Sequence, residues 1–286
     1  CSRSSLVPAP HRCLRPHLAL SGVFHSMGTK ASIVICTYQR PDALKLCLKS
    51  LDAQTYKNFE VKLVREKGEL AKLRNQGARR AKGKTLIFID DDVLCPPRWL
   101  EGILETFSRV GAQGVSGPAV IPLSHRKQRD LFRYNLIKRT YDYVFLERNE
   151  ALPGHITEAG AWTTGACEET CVYEGEVHFL EACNMAWKSK AFWEVGGFDE
   201  NYHGIGDWSE PDLAFRVRQC GGKLWFTPKA RLQHLPDKTG AYLSRERTGE
   251  RLSNYLRFSQ KWVRPCPSHM LYKLFLRGYF GIKEAR

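Results

Sequence analysis

No stretch of the 286-residue chain approaches the roughly 18 consecutive apolar residues that a membrane-spanning helix needs, so any helical membrane contact is expected to be peripheral. No internal repeat is found, which sets aside solenoid and propeller architectures. Acids are scarce: 30 Asp plus Glu stand against 44 Lys plus Arg, for a formal charge of +14. That balance decides nothing about the fold, but it favours polyanionic partners such as nucleic acid, anionic lipid headgroups or pyrophosphates. A disulfide framework is also lacking. Cys36, Cys47, Cys95, Cys183 and Cys220 sit inside hydrophobic patterns, where cysteine behaves as a small apolar residue. The reading is a reduced, cytoplasmic protein, peripheral on the inner face of the membrane. Cys167 and Cys171, four apart in a loop-like segment with Cys183 beyond, are the exception and a candidate zinc site or disulfide.

The first 26 residues carry three Arg, several Pro and no acid, unlike the chain from Met27 onward. Their longest apolar stretch, Leu18 to Phe24, is broken by Ser21 and Gly22 and is too short for a signal core. Residues 1–26 are therefore read as a non-native or disordered leader with Met27 as the start. Without them 41 basic residues still face 30 acids, or +11, so the basic character is intrinsic.

What the chain does have is 43% hydrophobic residues, enough to bury a substantial core, arranged as strands alternating with helices. Ala31 to Cys36 is a short β-branched apolar run that fits a buried strand. Pro41 then opens a helix with Leu44, Leu48 and Leu51 on one face. The step repeats with Phe59 to Val64 and a helix marked by Leu70, Leu73, Ala78 and Ala81. A third strand, Thr85 to Ile89, ends in Asp90-Asp91-Asp92, and Pro96-Pro97 opens a helix with Leu100, Ile103, Leu104 and Phe107 inward. This alternation predicts an α/β fold with a mostly parallel central sheet flanked by helices, ligands binding beyond the carboxyl ends of the strands.

From about Ser124 to Val177 the pattern gives way to a basic, aromatic, Gly-rich stretch, read as a substrate loop or lid. Further strands are expected over Val177 to Lys188 and Lys223 to Thr227, with a helix between them that Ser209 caps and that turns Leu213, Val217 and Cys220 inward. Residues 27–235 are taken as one domain. Residues 236–286 are taken as a basic helical extension in which Tyr272, Phe275, Tyr279 and Phe280 mix with Lys273, Arg277 and Lys283.

Three consecutive aspartates at the end of a buried strand repel one another, and a cation, solvent or hydrogen bonds must relieve the repulsion. A hard divalent ion held by one or two carboxylates and by substrate phosphates would do so. A solvated acidic loop or a helix-capping cluster is the competing reading.

The order of motifs separates the two. The run Cys36-Thr37-Tyr38-Gln39-Arg40-Pro41 is followed by Arg74-Asn75, Phe88-Ile89-Asp90-Asp91-Asp92, Ala182-Cys183-Asn184-Met185-Ala186, Gly196-Gly197-Phe198-Asp199-Glu200 and Glu210-Pro211-Asp212-Leu213. In this order, over residues 31–235, the chain resembles the family 2 glycosyltransferases with the GT-A fold. The segment from Trp208 to His234 also resembles the animal polypeptide N-acetylgalactosaminyltransferases.

The resemblance implies a nucleotide-sugar donor, with a UDP-sugar favoured, and Mn²⁺ or Mg²⁺. Thr37, Tyr38 and Arg40 would border the base, Arg74, Asp90 and Asp91 would contact the donor, and Asp92 with His234 would hold the metal. The family's Asp-Asp-Gly-Ser turn after the second strand is replaced here by Arg65-Glu66-Lys67-Gly68, which leaves Glu66 as the substitute base-binding acid. Glu210 falls at the position of the general base, with Asp212 in reserve, and Trp208 is expected at the acceptor, a glycan or lipid-linked glycan.

An inverting single displacement is the leading mechanism, and retention is the alternative because the second resemblance is to a retaining family. The positive charge is assigned to docking of residues 269–286 on an anionic membrane. Nucleic acid is not expected as a partner, since a nucleic-acid-binding module would account for none of the strand-end motifs.

Overall fold

The computed structural model describes residues 31–122, 141–147, 149, 151–163, 165–167, 169–236 and 248–284. The leader and the basic runs at His125 to Lys127, Arg133-Tyr134 and Lys138-Arg139 lie outside the described residues, as does the side chain of Cys167.

The first three strands are β1 (Ala31–Cys36), β2 (Phe59–Val64) and β3 (Thr85–Asp90), joined by α1 (Pro41–Asp52) and α2 (Leu70–Arg79). They pair in parallel in the order β2, β1, β3, with Cys36 opposite both Val64 and Asp90. Their carboxyl ends are therefore level. After β4 (Val93–Leu94) and α3 (Trp99–Val110) come β5 (Gly114–Ser116) and β6 (Ala119–Val120), then β7 (Gly175–Glu176) and β8 (Asn184–Lys188). The remaining elements are α4 (Ser189–Glu194), α5 (Ser209–Gln219), β9 (Leu224–Phe226), β10 (Leu232–His234), α6 (Thr248–Trp262) and α7 (Pro267–Glu284).

Among the described residues the main sheet has the order β2-β1-β3-β8-β5-β9-β7 and is mixed. β8 runs antiparallel to both β3 and β5, and β7 antiparallel to β9. The parallel order read from the sequence thus holds for β2-β1-β3 and β5-β9. β8 follows β7 through residues 177–183, which form no helical crossover, so nothing forces it parallel. Val177 to Cys183, expected as part of one strand, is a loop between β7 and β8.

Alternation along the strands builds a core on each face of the sheet. Val34, Leu86, Phe88, Met185 and Trp187 point to one side. Ile33, Ile35, Ile87, Ile89 and Ala186 point to the other, where α1 and α3 contribute Leu44, Leu51, Leu100, Ile103 and Phe107. The first face is covered by α5 and also by α6 and α7, through Tyr255, Phe258, Trp262, Tyr272, Leu276 and Phe280. Each fully buried aliphatic side chain of this kind contributes about 1.5–3 kcal/mol. Cys220 lies past the end of α5 and is exposed rather than inward.

Two motifs serve to position these layers. Asn75 donates to Phe198 O and accepts from Phe198 N, both at 2.9 Å, and so clamps the Gly196–Asp199 turn onto α2. Gly197 adopts φ +71 there, and a Cβ would lie 2.7 Å from Asn75 Oδ1, so only glycine fits. Asn184 is buried and donates to Gly117 O and Ala230 O while accepting from Trp99 Nε1. It locks β8 to α3 and to both short strands around it.

Candidate active site

Two sheets converge on one end of β3. In the small sheet β4-β10-β6, His234 of β10 lies opposite Val93 of β4, and Leu235 N donates to Asp92 O at 2.8 Å. This register sets the His234 imidazole beside the aspartate run, with Nε2 at 3.3 Å from Asp92 Oδ1. One ligand atom each from Asp90, Asp92 and His234 falls within a 4.8 Å cluster. Two carboxylates and an imidazole, partly open to a cavity, are a donor set that fits a divalent ion of the Mn²⁺ type.

The three aspartates are not equivalent. Asp91 is 2% exposed and points away from that cluster, accepting from Thr37 Oγ1 at 2.6 Å and from Arg40 Nη1 at 2.7 Å. Burial pushes its carboxyl up to about 6, against the pull of Thr37 and Arg40. Arg40 also reaches Asp92 Oδ2 at 2.7 Å. Burial works against ionising Asp92, but His234 and Arg40 outweigh it and hold its carboxyl below the usual range.

Beside this cluster, lining the same cavity of about 390 Å³, stands a second charged group. Arg74, from α2, is ion-paired with Glu210 from the first turn of α5, lies 3.7 Å from Asp90 Oδ1, and donates to Ala182 O at 3.2 Å. Burial raises the proton affinity of Glu210, and the Arg74 guanidinium opposes it. A carboxylate with raised affinity and access to a cavity is equipped to accept a proton. Cys36 also lines the cavity, but burial pushes its thiol up to about 12, so it is no thiolate nucleophile.

Residues 61–160 match the family model described as Glycosyl transferase family 2. The chain is similar to that family over these residues, about a third of its length. Its relatives include a glucosyl-dolichyl phosphate glucuronosyltransferase of Haloferax volcanii, 25% identical over 72% of this chain and 69% of that protein. They also include N-acetylgalactosaminyltransferase 6 of Drosophila melanogaster, 25% identical over 71% of the chain, and human polypeptide N-acetylgalactosaminyltransferase 15, 26% identical over 71%. The chain spans 28% and 30% of the lengths of those two animal proteins.

Among solved structures, GalNAc-T7 with UDP, GalNAc and Mn²⁺ superposes with a TM-score of 0.58 at 16% identity, over 90% of this chain and 51% of that one. The mannosyltransferase PcManGT of Pyrobaculum calidifontis with GDP-Man and Mn²⁺ gives 0.53 at 16% identity, over 89% and 70%. The fold of the domain is therefore GT-A.

The residues singled out from the sequence fall into three groups. Arg40, Arg74, Asp90, Asp91, Asp92, Glu210 and His234 line the one cavity. Thr37 and Tyr38 line a neighbouring groove of about 690 Å³ that Arg40 and Arg65 share. Glu66 stands outside both sets of lining residues, exposed and accepting from Gln76 Nε2.

Two placements differ from expectation. Asp212, the reserve base, is fully buried away from the cavity, and its oxygens accept from Tyr202, Arg216, Lys261 and Trp262. Four donors already occupy it, and it does not line the cavity. Trp208, expected at the acceptor, is 5% exposed and packs between Trp162 and the Tyr255 and Phe258 rings. Trp162, stacked on it at 4.4 Å, is the ring that lines the cavity. Ser209 does not cap α5 with its side chain; the N-cap is Trp208 at φ 75. Cys171 and Cys183 form no disulfide among the described residues.

Trp162, one of the tryptophans whose flat ring could face a sugar, also lines the cavity, as do Glu181 and Asp207, which the sequence did not single out as site residues. The one signal available was an acid directly before the Ala182-Cys183-Asn184 motif.

Proposed function

We propose that the domain transfers a sugar from a nucleotide-diphosphate donor to a hydroxyl of a glycan or lipid-linked glycan, with inversion, using Glu210 as general base. The observation that carries this reading is the pairing of Asp90, Asp92 and His234 on one wall of the cavity with Arg74 and Glu210 on another.

Asp90, Asp92 and His234 would hold Mn²⁺ or Mg²⁺, which when bound neutralises charge developing on the departing diphosphate. Arg74 and Arg40 orient the acidic groups around the donor, and Thr37, Tyr38 and Arg65 border a groove suited to the nucleoside. As the acceptor oxygen bonds to the anomeric carbon and the bond to the diphosphate oxygen breaks, the acceptor proton passes to Glu210. One structural neighbour holds UDP and the other GDP-Man, which supports either nucleotide as the donor.

The acceptor side of the reading is supported by the name of the haloarchaeal relative, which includes a dolichyl phosphate. No helix among the described residues is long and apolar enough to cross a membrane. Instead, α7 turns Met270, Leu271 and Leu274 outward beside Lys273 and Arg277, a combination that suits an anionic bilayer surface.

The test is donor binding and turnover against UDP-, GDP- and dTDP-sugars, with Mn²⁺ or with EDTA. Asp92→Ala and His234→Ala are expected to lose metal-dependent nucleotide binding by about 10–100-fold. Glu210→Gln is expected to bind donor and fail to transfer. A product whose anomeric configuration is retained by NMR would overturn the inverting step, and absence of nucleotide-sugar binding would overturn the reading as a whole.

A further inference from the structure

Glu181 is a carboxylate in the cavity that the proposed reaction leaves unused, and Asp207, the other, is ion-paired with Arg251. It sits in the loop between β7 and β8, and its backbone is pinned: Glu181 N donates to Ser116 Oγ at 3.1 Å, and Ser116 Oγ donates to Asn184 O at 2.7 Å. The side chain is left with an Oε1 that is shut off from solvent and has no hydrogen-bond partner among the described residues. Such an atom costs stability unless a ligand supplies the missing donor.

Arg74, which reaches the neighbouring Ala182 O, is engaged by Glu210 and Asp90. Burial and the like charge of Glu210 push the Glu181 carboxyl up to about 7, against the backbone of Gly154, so near neutrality it can accept or donate a hydrogen bond. Hydroxyl groups need such a partner. The same cavity presents Trp162, held rigid by its stack on Trp208, as a flat apolar wall. A flat ring and a carboxyl that can both give and take a proton suit a pyranose, which offers an apolar face and a ring of hydroxyls.

Ala182, next in the chain, binds the Arg74 that pairs with Glu210 and approaches Asp90 of the metal cluster, so a donor sugar held between that cluster and the base would come within reach of Glu181. Charge adds a further condition. Glu181, Asp207 and Glu210 share the cavity lining, with Arg74 paired to Glu210 and Arg251 to Asp207, so a sugar carrying its own carboxylate would compete with acids these cations already serve.

Resting on the glycosyltransferase reading, we propose that Glu181 is a specificity-determining residue whose Oε1 bonds a hydroxyl of an uncharged donor hexose lying against Trp162. This separates the domain from its haloarchaeal relative, which is named for glucuronate.

Calorimetry with Mn²⁺ on the full chain tests it, comparing bare UDP and GDP with their glucose, N-acetylhexosamine, mannose and glucuronate derivatives. For the best hexose donor, Glu181→Ala is expected to weaken binding about tenfold or more, while the bare diphosphate changes less than about twofold. The melting temperature of the variant should hold or rise, because an unpartnered buried oxygen is removed. Glu181→Gln should narrow the preference for hexose over glucuronate. Equal losses for donor and bare diphosphate, an unchanged donor affinity, or tight binding of UDP-glucuronate by the native chain would each overturn the inference. If the native chain binds none of the nucleotides, the glycosyltransferase reading itself fails and takes this one with it.

Discussion

Arg74 and Glu210, 136 residues apart in the chain, form a buried ion pair that joins α2 to α5 across the floor of the cavity. The pair is structural and chemical at once, because Arg74 faces Asp90 on its other side. Removing one partner leaves the other buried without compensation. Arg74→Met is expected to destabilise the fold by about 3–5 kcal/mol. The double variant Arg74→Met with Glu210→Leu should lose less than the sum of the two single changes, with a coupling of about 1–3 kcal/mol. Urea denaturation of the four proteins measures this, and strict additivity would mean that the pair does not form.

Asp212 gives the opposite division between stability and chemistry. Its carboxylate collects Tyr202, Arg216, Lys261 and Trp262 and so ties α5 to the last turn of α6. Asp212→Asn is expected to cost about 3–5 kcal/mol, since Lys261 and Arg216 lose a buried partner. Turnover per folded molecule should stay within a few-fold of native. Glu210→Gln also leaves a buried cation, Arg74, without its carboxylate and should cost stability too, but in addition its turnover per folded molecule should fall about 10²–10⁴-fold. A large loss of turnover in folded Asp212→Asn would return Asp212 to the reaction.

These two carboxylates show where sequence reading stops. Both stand in the first turn of one helix, two residues apart, and the motif alone admits either as the base. What separates them is the helix face. One turns to the cavity, while the other meets α6, a helix from outside the motif-bearing segment. The strand-end aspartates are legible because a buried apolar run ending in acids has few other uses, and β1 to β3 follow from their β-branched runs. β8 is not legible as antiparallel, because hydrophobic alternation is the same in either direction. Trp208 reads as an acceptor-facing ring from its neighbour Glu210, yet Tyr255 and Phe258 of α6 cover it. In each miss the deciding contact comes from a residue distant in the chain.

Stability should also depend on pH through His178, which is not among the residues lining the cavity. Its Nδ1 accepts from Ile156 N at 3.1 Å, and burial, Arg218 and His155 push its pKa down to about 3. The folded pKa lies below the unfolded one of about 6.5. Between those values the unfolded chain takes up a proton that the folded chain refuses. Stability is therefore full above about pH 6.5 and falls as the pH drops towards about 3. His178→Gln keeps an acceptor for Ile156 N and should flatten that limb in thermal melts from about pH 7 to about pH 4. An unchanged slope would assign the acid sensitivity to other groups.

The two faces of α7 can be tested separately. His269, Tyr272, Leu276 and Phe280 are buried against the core, and Met270, Leu271 and Leu274 are 63%, 51% and 64% exposed. Changes on the outer face remove no packing, so Leu271→Asp with Leu274→Asp should alter stability by less than about 0.5 kcal/mol at each site. Apolar insertion and attraction between Lys273, Arg277 and acidic headgroups act together in surface binding. The double variant should therefore lose flotation with phosphatidylserine-containing vesicles while keeping its melting temperature. The native chain should release from those vesicles as salt is raised, because the electrostatic part is screened. Flotation of the double variant equal to native would exclude this face of α7 as the membrane contact and leave its apolar side chains to another partner.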